Sequence, residues 1–148
     1  MGEFCLDVKK LREGAILPSH GSALSAGYDL YACLDAPVTI PPHETVLIGT
    51  GLAVALPEGW FAAIFARSGL ALKQGLRPAN CVGVCDADYR GEYMVPIHND
   101  SEVPRTLEHG ERMAQMILLP CQTLTFREVE ELTDTDRGEG GFGSTGEK

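Results

Sequence analysis

The chain has 148 residues, 12 Lys+Arg against 21 Asp+Glu for a formal charge of −9, and 44% hydrophobic residues. That length and composition suit one globular domain that buries its own core without a disulfide or metal staple, and they exclude a disordered or fibrous chain. The acidic balance argues against non-specific nucleic-acid binding and against anionic membrane surfaces, both of which need basic residues in excess. An anionic small molecule stays open if the few basic residues converge.

Along the chain, MGEFCLDVKKL carries no apolar signal core, and no run reaches the roughly 18 apolar residues of a membrane span, so a cytoplasmic location is expected. Ala26 to Leu30 (AGYDL) puts an acid beside a glycine in an early strand. Strands are then expected at Val38 to Ile40, Thr45 to Leu56, Trp60 to Ala66, Glu92 to Ile97 and Met113 to Leu119, punctuated by Pro and Gly turns. This spacing predicts an all-β barrel or double-sheet roll. Only SGLALKQG, from Ser68 to Gly75, reads as a short helix, with Ser68 as N-cap and Gly75 as the C′ residue. The five cysteines form no CxxC pair and none of the four histidines stands at zinc-finger spacing, so reduced structural thiols are expected.

Three segments carry chemistry. Arg67 and Ser68, at a strand-to-helix junction, offer a planar cation and a hydroxyl to a phosphate, although a capping serine beside a surface arginine explains them equally well. In the run from Asn80 to Glu92 (NCVGVCDADYRGE), Asn80 can pair with a pyrimidine edge. Gly83 there marks a bulge or a close approach by a ligand. Asp86 follows an apolar stretch that would desolvate its carboxylate and suit it to activating water. A plain hairpin with an acidic turn is the alternative. The last 22 residues, Arg127 to Lys148, hold seven acids and three bases and end in RGEGGFGSTGEK, which predicts a tail that orders only against something else. Its GxGxxG, Gly138 to Gly143, lacks the following helix of a dinucleotide fold, and Glu147 occupies the lysine position of a P-loop. The glycine amides, Arg137, Ser144 and Thr145 nevertheless suit phosphate oxygens, and Phe142 offers a flat face to a base.

Taken in order, AGYDL (26–30), ARSGLALK (66–73), NCVGVCDADYRGEYM (80–94), RMAQM (112–116) and RGEGGFGSTG (137–146) resemble the five motifs of the homotrimeric deoxyuridine triphosphatases, the dUTPases. The resemblance spans nearly the whole chain. It implies a jelly-roll domain over residues 1–126, a C-terminal arm over 127–148, and a homotrimer whose active sites are shared between subunits. It implies hydrolysis of dUTP to dUMP and pyrophosphate with Mg²⁺ on the triphosphate, which limits uracil in DNA and supplies dUMP for dTMP synthesis. Asp86 matches the catalytic acid that activates water against the α-phosphorus. Tyr89 matches the residue packed on the deoxyribose, with no room for a 2′-OH. Asn80, Gly83, Val84 and Cys85 match the uracil-reading segment, and Met94 a further substrate contact. Arg67, Ser68, Gly69 and Gln115 match the phosphate side, while Arg137, Phe142, Gly143 and Ser144 match the closing tail. Asp29 matches an acid that touches metal-bound water, with no direct protein ligand to the ion. Cys85 stands where many relatives carry an aliphatic residue. Two other readings share this fold: a dCTP deaminase, whose catalytic glutamate and arginine-rich motif are not found here, and a nucleotide-sensing protein without turnover.

Overall fold

A computed structural model of the chain describes residues 4–144 and residue 146; Thr145, Glu147 and Lys148, part of the expected tail, lie outside the described residues. The strands are β1 (Asp7–Lys10), β2 (Tyr28–Tyr31), β3 (Val38–Ile40), β4 (Thr45–Gly49), β5 (Leu52–Ala55) and β6 (Trp60–Phe65). After the helix α1 (Ser68–Gln74) come β7 (Leu76–Pro78), β8 (Gly83–Cys85), β9 (Met94–Asn99), β10 (Arg105–Leu107) and β11 (Arg112–Pro120). All pairings are antiparallel, in two main sheets ordered β2-β11-β6-β8 and β4-β9-β7 and two short ribbons, β1-β5 and β10-β3. This is the mostly-β architecture with one short helix that the turn-rich sequence predicts.

The alternation of β9 shows why. Val95, Ile97 and Asn99 point inward while Met94, Pro96 and His98 face out, the period of two that a half-buried strand requires. The inward rows meet Leu30, Ile40, Ile48, Val54, Ile64, Leu76, Leu107 and Met113 in one apolar core. Burying such side chains contributes about 1.5–3 kcal/mol each. Asn99 is polar and fully buried, but its Nδ2 donates to Ile40 O (3.0 Å) and Val103 O (2.8 Å), and its Oδ1 accepts from the Ser101 backbone and hydroxyl. It ties the end of β9 to β3 and to the loop before β10.

Three expectations need correction. The run from Thr45 to Leu56 is two strands, because the chain changes sheets at Gly51, whose φ of 69° suits glycine and where a Cβ would stand 2.9 Å from the Ala15 methyl. Ser68 is not the N-cap. Arg67 holds that position in extended backbone (φ −96°, ψ 127°), its carbonyl accepting the Ala71 N–H at 3.0 Å, with no side-chain cap; Gly75 does close the helix at φ 68°. The segment 80–92 is not a hairpin: β8 pairs with β6, and the chain then turns into β9 of the other sheet. Gly83 packs against protein on one side, where a Cβ would sit 3.2 Å from Ile64 Cβ and 3.6 Å from Asn80 Nδ2.

Strand β6 is the ruler for the site. Its Phe65 end leads directly to Arg67. Gly83 pairs with Ile64 and Cys85 with Ala62, so β8 runs the other way and delivers Asp86 at the Trp60 end. Beyond Pro120 the described residues form neither helix nor strand.

Candidate active site

Two clefts hold the chemistry-bearing residues. The first, about 420 Å³, lies where β2, β11 and the exit of β6 meet. Register builds it: Asp29 pairs with Gln115, and Gln115 pairs with Phe65 on the other side, two residues before Arg67. Arg67 Nε donates to Asp29 Oδ1 at 2.7 Å, and Arg112 Nη1 to Asp29 Oδ2 at 3.4 Å. Arg67 Nη1 also reaches Arg112 O at 3.4 Å. Two guanidiniums share one carboxylate, so the cluster keeps a net positive charge, while its forks are held in place before any anion arrives. Gln115 Nε2 donates to Ala66 O at 2.8 Å, which fixes the entry to α1. Gln115 also explains Gly27, where a Cβ would collide with its amide oxygen. Ser68 and Gly69 line the same cleft. Anion attraction here comes chiefly from arginine forks, because α1 is only seven residues long.

Arg112 is the residue the sequence reading missed. It opens the motif RMAQM, but a charged residue at a strand start is ordinary, and only the register with β2 puts its guanidinium on Asp29.

The second cleft, about 340 Å³, is lined by Val84, Cys85, Asp86, Tyr89 and Met94, with Leu47, Glu92 and Tyr93. It contains two acids in different states. Glu92 pairs with Arg12 Nη2 at 2.5 Å and accepts the Gly51 N–H at 2.7 Å, so it is committed to holding the β4–β5 corner. The Asp86 carboxylate makes no hydrogen bond among the described residues. It is exposed in the single chain, so the desolvation expected from the sequence is not supplied by this chain's own walls. The following turn is closed by the Tyr89 N–H to Asp86 O (3.2 Å) and by Arg90 Nη1 to Ala87 O (2.6 Å) and Tyr89 O (3.1 Å). Behind it lie Cys85 and Tyr93. Burial pushes the Cys85 thiol up, partly offset by Tyr93, with the Asp86 charge adding to the rise. Burial likewise raises the Tyr93 phenol, and the neighbouring Cys85 reinforces that shift. Its hydroxyl is the one buried side-chain polar atom without a hydrogen-bond partner among the described residues.

Asn80 and Gly83 line neither cleft; Asn80 is exposed in the turn after β7. The tail residues also stand apart. Arg137 Nε donates to Gly140 O at 2.6 Å, Gly143 adopts φ 88°, Ser144 N–H reaches Gly141 O at 3.1 Å, and the Phe142 ring is fully exposed. The β6 register sets Asp86 about six residues along the strand from Arg67. At about 3.3 Å per residue that is roughly 20 Å of backbone.

Among the described residues no group of three or more His, Cys, Asp or Glu could hold a metal ion. The first cleft offers oxygen donors suited to a hard cation carried in by phosphates: the Asp29 carboxylate, the Ser68 hydroxyl and the Gln115 amide. With both Asp29 oxygens already accepting from arginines, its fit is to an ion's water shell.

The dUTPase family profile matches residues 13–146. Deoxyuridine 5'-triphosphate nucleotidohydrolase of Hydrogenobaculum sp. (strain Y04AAS1) is 49% identical over 141 residues, covering 95% of this chain and 97% of that protein. The protein of that name in Burkholderia cenocepacia (strain HI2424) is 48% identical over 144 residues, with the same coverage. Among solved structures, the Staphylococcus bacteriophage 80alpha dUTPase G164S mutant with dUpNHpp superimposes with a TM-score of 0.88 at 30% identity, over 96% of this chain and 98% of that one. Family profile, sequence relatives and fold agree with one another, and this chain belongs to the dUTPase family.

Proposed function

We propose that this protein hydrolyses dUTP to dUMP and pyrophosphate in sites assembled between copies of the chain, with Asp86 as the base. The observation that carries the reading is the split: an unpaired carboxylate in one cleft and a pre-set arginine cradle in another, on opposite ends of β6. A cyclic trimer reconciles them by setting the Asp86 cleft of one copy against the Arg67 cleft of the next. The arm of residues 127–148 then closes the site, with Arg137, Gly143 and Ser144 on phosphates and Phe142 over the base.

In that site Arg67 and Arg112 hold the β- and γ-phosphates, with Ser68, Gly69 and Gln115 beside them. Mg²⁺ bound to the triphosphate, near Asp29, would neutralise phosphate charge and fix its conformation. Asp86 accepts a proton from water as the water oxygen bonds to the α-phosphorus. The bridging bond to the β-phosphate breaks, and pyrophosphate leaves with the electron pair. Most of the rate gain then comes from positioning and charge stabilisation.

Base selection follows from β8, an edge strand paired only with β6. Its outward N–H and C=O groups around Val84 and Cys85 are open to pair with uracil N3–H and O4, with Asn80 nearby and Met94 on the wall. Cytosine reverses that pattern and leaves groups unpaired, a difference worth up to about 10⁴–10⁵ in discrimination. Tyr89 blocks a 2′-OH. A deaminase needs an uncommitted glutamate, and Glu92 is held by Arg12.

The test is pyrophosphate release from dUTP, dCTP, dTTP and UTP with Mg²⁺, for the parent and Asp86→Asn. Release from dUTP alone, lost in the variant, is expected. Binding without turnover would favour a sensor, and ammonia from dCTP a deaminase.

A further inference from the structure

We infer that Gly91 and Tyr93 are positioning residues for sugar selection, because together they fix where the Tyr89 ring stands. The inference rests on the reading of Tyr89 as the stop against a 2′-OH, and extends it to the two residues packed behind and beside that ring.

A steric stop discriminates only if it cannot yield. Tyr89 sits on a turn and is 44% exposed, so its own position needs an explanation. Three contacts supply one. Its ring stacks on Tyr93, centroids 6.2 Å apart and planes inclined by 21°, an offset arrangement that aromatic quadrupoles favour. Tyr93 is itself only 1% exposed and packed in the core, so the stack rests on an immobile backing. The Tyr89 hydroxyl donates to Glu92 O at 2.9 Å, which anchors the far end of the ring.

Gly91 provides the third contact by what it lacks. A Cβ there would stand 2.5 Å from the Tyr89 hydroxyl oxygen, 2.6 Å from Cζ and 2.8 Å from Cε2. Three atoms of one rigid ring lie inside contact distance, so no rotation of a flexible tip relieves the clash; the whole ring must move. Gly91 does not have a positive φ among the described glycines, so its requirement is for space and not for backbone freedom. Glu92 O, the anchor of the hydroxyl, belongs to the residue that Arg12 and the Gly51 N–H hold in place. The ring is therefore pressed between a core tyrosine, a pinned carbonyl and a side-chain-free turn. A displaced ring opens space at the sugar without removing any group that contacts phosphate or water.

The experiment compares kcat/KM for UTP and dUTP in the parent, Gly91→Ala, Tyr93→Leu, Tyr93→Phe and Tyr89→Ala, each checked for folding by circular dichroism and thermal unfolding. Gly91→Ala and Tyr93→Leu are expected to raise the UTP-to-dUTP ratio by about tenfold or more. Tyr93→Phe, which keeps the stacking ring, should leave that ratio within about twofold, as expected where the ring and not the hydroxyl does the positioning. A purely structural role would lower both substrates in parallel. An unchanged ratio in Gly91→Ala, with Tyr89→Ala unselective, overturns this inference alone; this turn variant decides the matter if Tyr93→Leu does not fold. A parent without dUTP turnover, or an unchanged ratio in Tyr89→Ala, overturns the reading of the cleft and this inference with it.

Discussion

The two clefts are built to opposite standards. Around Asp29 the donors are paired in advance: two arginines on one carboxylate, and a glutamine bonded to the backbone that carries Arg67. Around Asp86 the decisive carboxylate has no partner among the described residues, while Oε1 of its neighbour Glu92 accepts from both Arg12 and the Gly51 N–H. An anion cradle gains from being rigid before the ligand arrives, since ordering long side chains costs binding energy. A base gains from the reverse, because a carboxylate already accepting from an arginine is a poor acceptor for water's proton.

That contrast predicts a graded set of losses. Asp86→Asn should lower kcat by about 10²–10⁴ with little change in KM or thermal stability, measured by steady-state pyrophosphate release. Removing residues 137–148 should take away most turnover while the melting curve stays put, because the described tail bonds chiefly to itself. Arg67→Ala should raise KM for dUTP and cut kcat/KM by about 10²-fold through lost charge-assisted bonds. Lysine should not restore it, lacking the planar fork. Arg112→Ala should cost less, its contact to Asp29 being longer and more exposed.

The smallest effect concerns a pair that lines neither cleft. Arg77 donates to both Asp100 oxygens, and that hydrogen bond holds the Asp100 carboxyl below its ordinary value of 3.8. A depressed folded pKa contributes stability above the unfolded value that is lost as pH falls through the lowered one. Asp100→Asn should therefore flatten the decline of the urea midpoint below about pH 4 and leave activity at neutral pH unchanged.

Much of this was legible in the chain. Val38–Ile40, the β6 and β11 runs, and Gly75 as helix terminator follow from alternation and turn chemistry, which are local. What was not legible depends on partners distant in sequence. In the run from Thr45 to Leu56, Gly49 and Gly51 hint at a break, but that the chain changes sheets at Gly51 depends on Ala15 and Cys33, which stand against it from distant segments. That Gly83 packs against Ile64 is a fact of strand pairing that its own neighbours in sequence do not reveal. Arg112 gains meaning only from its register with Tyr31 and the neighbouring Asp29. The motifs name Arg67 and Asp86 together, but the pairing of β6 with β8 is what separates them.

That separation can be tested by complementation. Asp86→Asn and Arg67→Ala chains, each strongly impaired alone, would be unfolded together, refolded and assayed for pyrophosphate release from low dUTP. If each site draws its carboxylate and its arginine from different copies, about one site in four regains both, and activity returns to a comparable fraction of the parent. If the mixture stays as inactive as either variant while a parent control recovers, the two groups work within one chain and the account of a shared site is wrong.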